Sequence, residues 1–239
     1  MVIKYRTYFS IACLAAIAVG APVEAQRGPD AAVTHRDVRT LTIQRKVDAL
    51  FERGDFQRAL FIYRNELVPA GDKYAQYMVG YMHLMGMGTD EDAAAAFAWY
   101  RLAAERGSPE YAAVRDHLRA DLAAEEHARS DAIYAKLRRS YSDLAVLLSS
   151  IKRNSDALRA RSGLRLPAGV RPMSVTDQKT PLTIRSGADY DRRVRRQLHH
   201  DLVALRKLGD FQNLDTDPDR VDIDQLERLV QQRIESALD

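Results

Sequence analysis

Residues 86–107 read GMGTDEDAAAAFAWYRLAAERG and carry the only tryptophan of the chain, Trp99. The stretch opens on Gly86-Met87-Gly88, passes through Asp90-Glu91-Asp92 and ends in an alanine-rich run closed by Gly107. A Gly-x-Gly invites comparison with a phosphate cradle. A dinucleotide loop needs a preceding strand and a third glycine, and a P-loop needs Gly-Lys-Ser/Thr; both are missing. The residues before it, DKYAQYMVGYMHLMG from Asp72, space their apolar positions as a helix does. The glycines therefore read as the tight turn between two helices, where a positive φ is needed. The three acids read as the start of the second helix. The macrodipole favours negative charge there, and Asp90 is placed to cap the free N–H groups.

The pattern repeats on either side. Ala59 and Tyr63 recur as Ala96 and Tyr100, both 37 residues later, and Tyr74-Ala75 recurs as Tyr111-Ala112 at the same interval. A period of about 20–50 residues with two helices per unit marks a helical solenoid. Upstream, Leu41, Val47, Leu50 and Phe51 share a helical face that ends at Gly54. Asp55 caps a second helix, DFQRALFIYRNEL, which stops before Pro69-Ala70-Gly71. Downstream, Ser108-Pro109 supplies an N-cap and a first-turn proline for a fifth helix.

Ala75, Val79-Gly80, His83, Gly86-Met87-Gly88, Asp92, Ala96, Trp99-Tyr100 and Ala103-Ala104-Glu105-Arg106-Gly107 stand in register with a Sel1-like repeat. The segment from Ala75 to Gly107 resembles that family, the longer-looped relative of the tetratricopeptide repeat. It departs at Val79 for Leu, at His83 for the usual Tyr and at Ala95 for a common Lys. GDFQRALFIYRNEL resembles the second helix of a preceding unit, and Tyr111-Ala112 opens a third that loses its glycines. The resemblance covers about residues 41–118. It implies an adaptor or scaffold that binds proteins or peptides on a concave face built from first helices. In the central unit that face is expected to use Lys73, Gln76, Tyr77, Tyr81 and Met82.

Beyond the repeats, no glycine or proline interrupts the chain between Pro109 and Ser162. Ile133, Leu137, Tyr141, Leu144, Leu147, Leu148, Ile151 and Leu158 form an apolar stripe at spacings of mostly three and four. Residues 119–162 are expected to be a long amphipathic helix, or a pair broken near Ser130 or Ser140. The stripe must cap the solenoid, fold back as a hairpin or pair with a second chain as a coiled-coil homodimer. Residues 163–187, rich in Pro and Gly, read as a linker or packed loop. Residues 188–239 form a C-terminal helical segment. Its first helix, about 189–208, carries Tyr190, Val194, Leu198, Leu202 and Leu205; its last, about 222–238, carries Ile223, Leu226, Leu229, Val230 and Ile234. The fold class is all-α.

The first 25 residues resemble a cleavable export signal. Lys4 and Arg6 precede an apolar run from Tyr8 to Val19, and small residues lead to a cut expected after Ala25. That run is shorter than the roughly 20 residues a membrane span takes. Residues 26–40 read as a flexible segment. Cys13, the only cysteine, lies in the signal, so the mature chain has neither disulfide nor thiolate. The expected product is an exported protein, periplasmic or secreted, with no transmembrane span after cleavage.

A net charge of +3 gives no strong field. Arg192, Arg193, Arg195 and Arg196, with His199-His200 beyond, are flanked by Asp189, Asp191 and Asp201 and read as a solvated helix face rather than a nucleic-acid surface. No Gly-x-Ser-x-Gly, no His-Glu-x-x-His and no mature cysteine supports catalysis, so a non-catalytic protein without cofactor is expected. The nearest approach to a metal site is LDTDPDRVDIDQLE. Asp215, Asp217 and Asp219 have calcium-loop spacing, but Arg220 replaces the turn glycine and Glu227 falls one residue beyond the closing position. A calcium-responsive protein is thus the alternative to the adaptor.

Overall fold

The computed structural model describes residues 38–162, 175–176, 183–184, 187–208 and 211–238. The expected signal, Cys13, residues 26–37 and nearly all of the expected linker lie outside the described residues. The described residues belong to one compact unit.

Three helix pairs follow one another. The first is α1 (Val38–Glu52) with α2 (Phe56–Ile62), the latter continued by a π-helical turn at Tyr63–Leu67 and a 3-10 turn at Val68–Ala70. The central pair is α3 (Lys73–Met85) and α4 (Ala93–Ala103). The third is α5 (Pro109–Asp121) and α6 (Ala124–Tyr141). The periodicity sets these elements and side chains end them. Asp72 accepts the Ala75 N–H at 3.1 Å, and Asp92 accepts the Ala95 N–H at 2.8 Å. The cap of α4 is therefore Asp92 rather than Asp90, which is exposed. The helix starts two residues later than the acidic run suggests.

The glycine turn is tight for a specific reason. Gly88 has φ +75°, and a Cβ there would stand 2.6 Å from the carbonyl carbon of Phe56. The turn thus presses on the first residue of α2, locking one unit onto the next. Within the central pair, a Cβ at Gly80 would lie 2.8 Å from the Tyr100 ring, so α3 and α4 approach closely.

The third pair departs from a regular solenoid. Instead of pairing with α5, α6 lies along α4. Tyr134 is buried in the same core as Ala98, Trp99 and Leu102, with Ile133, Leu137 and Tyr141 packed against it. Trp99 stacks on Tyr141 with ring centres 6.1 Å apart.

The expected break near Ser140 is present, two residues further on. The break is Ser142, whose backbone is extended and whose Oγ accepts the Ala145 N–H at 3.3 Å. There α7 (Asp143–Ser162) begins. It packs on α8 (Gly187–Leu208) and α9 (Ile223–Glu235), whose Asp222 cap accepts the N–H groups of Asp224 and Gln225 at 3.0 Å. Leu144, Leu147, Leu148, Ile151, Leu198, Leu202, Leu205, Ile223, Leu226, Val230 and Ile234 form this second core. The apolar stripe of 133–158 is therefore divided between two cores of its own chain. Of the partners considered for it, the chain itself is the one that covers it, which leaves no continuous seam for a coiled coil. Within 163–187, Val175–Thr176 pairs antiparallel with Thr183–Ile184, the one strand pair among the described residues. No helix among the described residues is long and apolar enough to cross a membrane.

Candidate functional site

The first helix of the central unit, α3, places the five residues expected on the concave face on two different sides. Lys73, Gln76 and Met82 are buried. Lys73 Nζ donates to the Leu102 carbonyl at 3.1 Å and to Glu105 Oε2 at 2.9 Å, and pairs with Asp143 Oδ1 at 3.2 Å. Arg106 completes the cluster with two hydrogen bonds of 2.8 Å to Asp143 and one of 3.0 Å to the Gly71 carbonyl. Two cations and two anions thus balance one another in the interior, the arrangement burial of charge demands. Gln76 Nε2 donates to the Tyr141 carbonyl at 3.1 Å and so caps the end of α6. These residues hold the repeat to the C-terminal helices and are out of a partner's reach.

Tyr77 and Tyr81 are half-buried and reach the surface, together with Tyr74. Spacings of three and four put these three tyrosines on one face of α3. Tyr77 lies between Tyr100 and Tyr111, each 5.4 Å away by ring centre, and Tyr81 lies 6.4 Å from Phe51 of α1. The aromatic stripe therefore spans three units. Tyr74 was legible beforehand, because it stands three and seven residues before Tyr77 and Tyr81, whereas Gln76 lies about a third of a turn off that line. Lys73, four before Tyr77, shares the spacing and is set apart only by its buried ion pairs.

His83 stands at the far end of α3, where the resemblance places a Tyr. Burial holds its imidazole below the ordinary value, the Arg64 charge adds to this, and Asp92 opposes it. No hydrogen-bond partner meets its buried Nδ1.

The acidic turn after α8 is satisfied internally. Asp215 Oδ1 accepts the Asp217 N–H at 2.9 Å, and Asp217 Oδ1 accepts the Asp219 N–H at 3.0 Å. The Asp219 carboxylate pairs with Arg195, and Glu227 receives Lys152 Nζ at 2.7 and 2.8 Å. Asp215, Asp217, Asp219 and Glu227 are thus drawn toward different partners. Among the described residues no cluster of three or more His, Cys, Asp or Glu is arranged to hold a metal ion. The same pairing answers part of the basic cluster, since Arg192 pairs with Asp189 and Arg195 with Asp219.

The family model of the Sel1 repeat matches residues 73–108, which are α3, the glycine turn, α4 and its closing turn. No curated protein and no solved structure matches the chain.

Proposed function

We propose, on the premise that this is a Sel1-like repeat protein with its repeat at residues 73–108, that it is a non-catalytic adaptor that binds a protein or peptide. The observation that supports this reading is the aromatic stripe of Tyr74, Tyr77 and Tyr81, half-buried and partly open to solvent on the first helix of the repeat. Tyrosine suits such a role, because it offers a large rigid apolar face and a polar tip at small entropic cost. Lys73, Gln76 and Met82 act behind it by fixing α3 in place. Export rests on the sequence of the first 25 residues alone, and the bound partner would then be periplasmic or extracellular.

The test is a photo-crosslinking amino acid at position 74 or 81 in the native cell, with position 153 on the exposed side of α7 as control. Discrete adducts at 74 and 81 but not at 153 are expected. Equal labelling at all three positions, or none at 74 and 81, removes the stripe as the binding face.

A further inference from the structure

The repeat period puts α2 and α4 in equivalent places, and one face of the two is treated differently. Ala94, Phe97, Ala98, Arg101 and Leu102 form the stripe of α4 that α6 covers; Ala94, Ala98 and Leu102 are fully buried. Contacts from α6 identify the covering helix. Phe97 meets His127 edge-on, while Arg101 lies 3.9 Å over the Tyr134 ring and pairs with Asp131. Subtracting 37 residues gives Gln57, Leu60, Phe61, Arg64 and Asn65 on α2 and its π turn. Leu60 is buried, but Gln57, Phe61, Arg64 and Asn65 are exposed, Phe61 by 64 %. So the face that carries a docked helix in the central unit is open in the first.

Two further observations set this face apart. The helix is wound as a π turn at Tyr63–Leu67, whereas the equivalent residues of α4 stay α-helical as far as Ala103, and Asn65 Nδ2 returns to the Phe61 carbonyl at 2.8 Å. Single π turns inside α-helices cluster at functional positions. The face also carries an exposed cation, Arg64, beside Phe61, while Arg58 on its other side is held by Asp55 at 3.2 Å. A second copy docked symmetrically through this same face would set Arg64 against Arg64, which like-charge repulsion disfavours.

We propose that this face of α2 docks an amphipathic helix of another protein, one with acidic residues at its rim and small residues facing Phe61. The template is α6 on α4. There an aspartate answers Arg101 and bulky side chains fill the space over Ala98; here an acid answers Arg64 and the bulk is reversed, with Phe61 as the knob. This surface lies on the second helix of its unit and is separate from the tyrosine stripe.

Binding of two stapled 18-residue helices to the full chain tests it by fluorescence anisotropy. Both helices share a Leu/Ala apolar face; one has a Glu rim and the other a Lys rim. The Glu helix should bind saturably and the Lys helix should not. Phe61→Ser and Arg64→Glu should each weaken the Glu helix by about tenfold or more, as for a central anchor, while Tyr81→Ser leaves it unchanged. Both substitutions are at exposed positions, and circular dichroism verifies the fold. Failure of the Glu helix to bind, equal binding of the two helices, or insensitivity to both substitutions overturns the proposal. Loss on Tyr81→Ser alone overturns it too, by moving the helix to the tyrosine stripe, and leaves the adaptor reading standing.

Discussion

Arg106 holds Asp143 by both arms of its guanidinium, Nε to Oδ2 and Nη2 to Oδ1, each at 2.8 Å. The pair joins the last turn of the repeat to the first turn of α7, and Lys73 stands behind it. Removing one member leaves buried cations without their anion, which costs about 3–5 kcal/mol. Asp143→Ala is expected to lower stability by that amount in urea unfolding, while Asp143→Asn, which keeps the shape, loses less.

The same carboxylate sets an acid limit. Burial pushes its pKa up, but the Arg106 hydrogen bonds and the Lys73 charge outweigh this and hold it below its ordinary 3.8. A depressed carboxylate stabilises the fold above its unfolded value and loses that contribution as the pH falls through the folded one. The unfolding midpoint should therefore drop below about pH 4, and Asp143→Asn should flatten that part of the profile.

His83 works at a higher pH. Its folded value lies below the ordinary 6.5, chiefly through burial. The unfolded chain then takes up the proton first, so stability is full above 6.5 and declines as the pH falls below it. His83→Phe is expected to remove this slope between neutral pH and the carboxylate range in thermal melts. An unchanged slope would place its origin in another group.

Gly88 and Gly107 separate backbone strain from crowding, since both have φ +75°. Nothing lies within 4 Å of a Cβ at Gly107, whereas one at Gly88 meets the backbone of Phe56 and Gln57. Gly107→Ala should cost about 1–2 kcal/mol from the left-handed conformation alone. Gly88→Ala should cost about 1–3 kcal/mol more, as overpacking does; equal losses would mean that α2 moves aside freely.

Calorimetric titration with millimolar calcium is expected to give no saturable heat. Glu227 is turned to Lys152 and Asp219 to Arg195, so binding would first have to break two ion pairs. Saturable heat abolished by Asp217→Asn would restore the calcium-responsive alternative.

Much of this fold was legible in the chain because local signals agreed. The 37-residue recurrence, the glycine turn and the Trp99-Tyr100 pair all point to the same helix pair. The path of α6 was not legible. Its stripe fixes which side is apolar but not which neighbour covers it, and the choice of α4 over α5 depends on tertiary fits such as Tyr134 under Arg101. Site residues failed for a related reason. Lys73 and Gln76 are polar and read as surface, yet their partners Asp143 and Tyr141 lie 70 and 65 residues away in sequence. Tyr77 and Tyr81 share one face by spacing, and the structure leaves them partly exposed there.

The charged knot of Lys73, Glu105, Arg106 and Asp143 has a consequence for how the molecule comes apart. It ties Lys73 and Arg106 of the repeat to Asp143, whose next residue Leu144 enters the second core. Gln76 on the Tyr141 carbonyl adds a second tie across the same joint. Opening that joint strips Asp143 from Lys73 and Arg106 and leaves Glu105 alone to answer both cations. The repeat and the helices behind it should therefore melt in one cooperative transition, and cleavage near Ser142 should release no half that persists as a folded fragment.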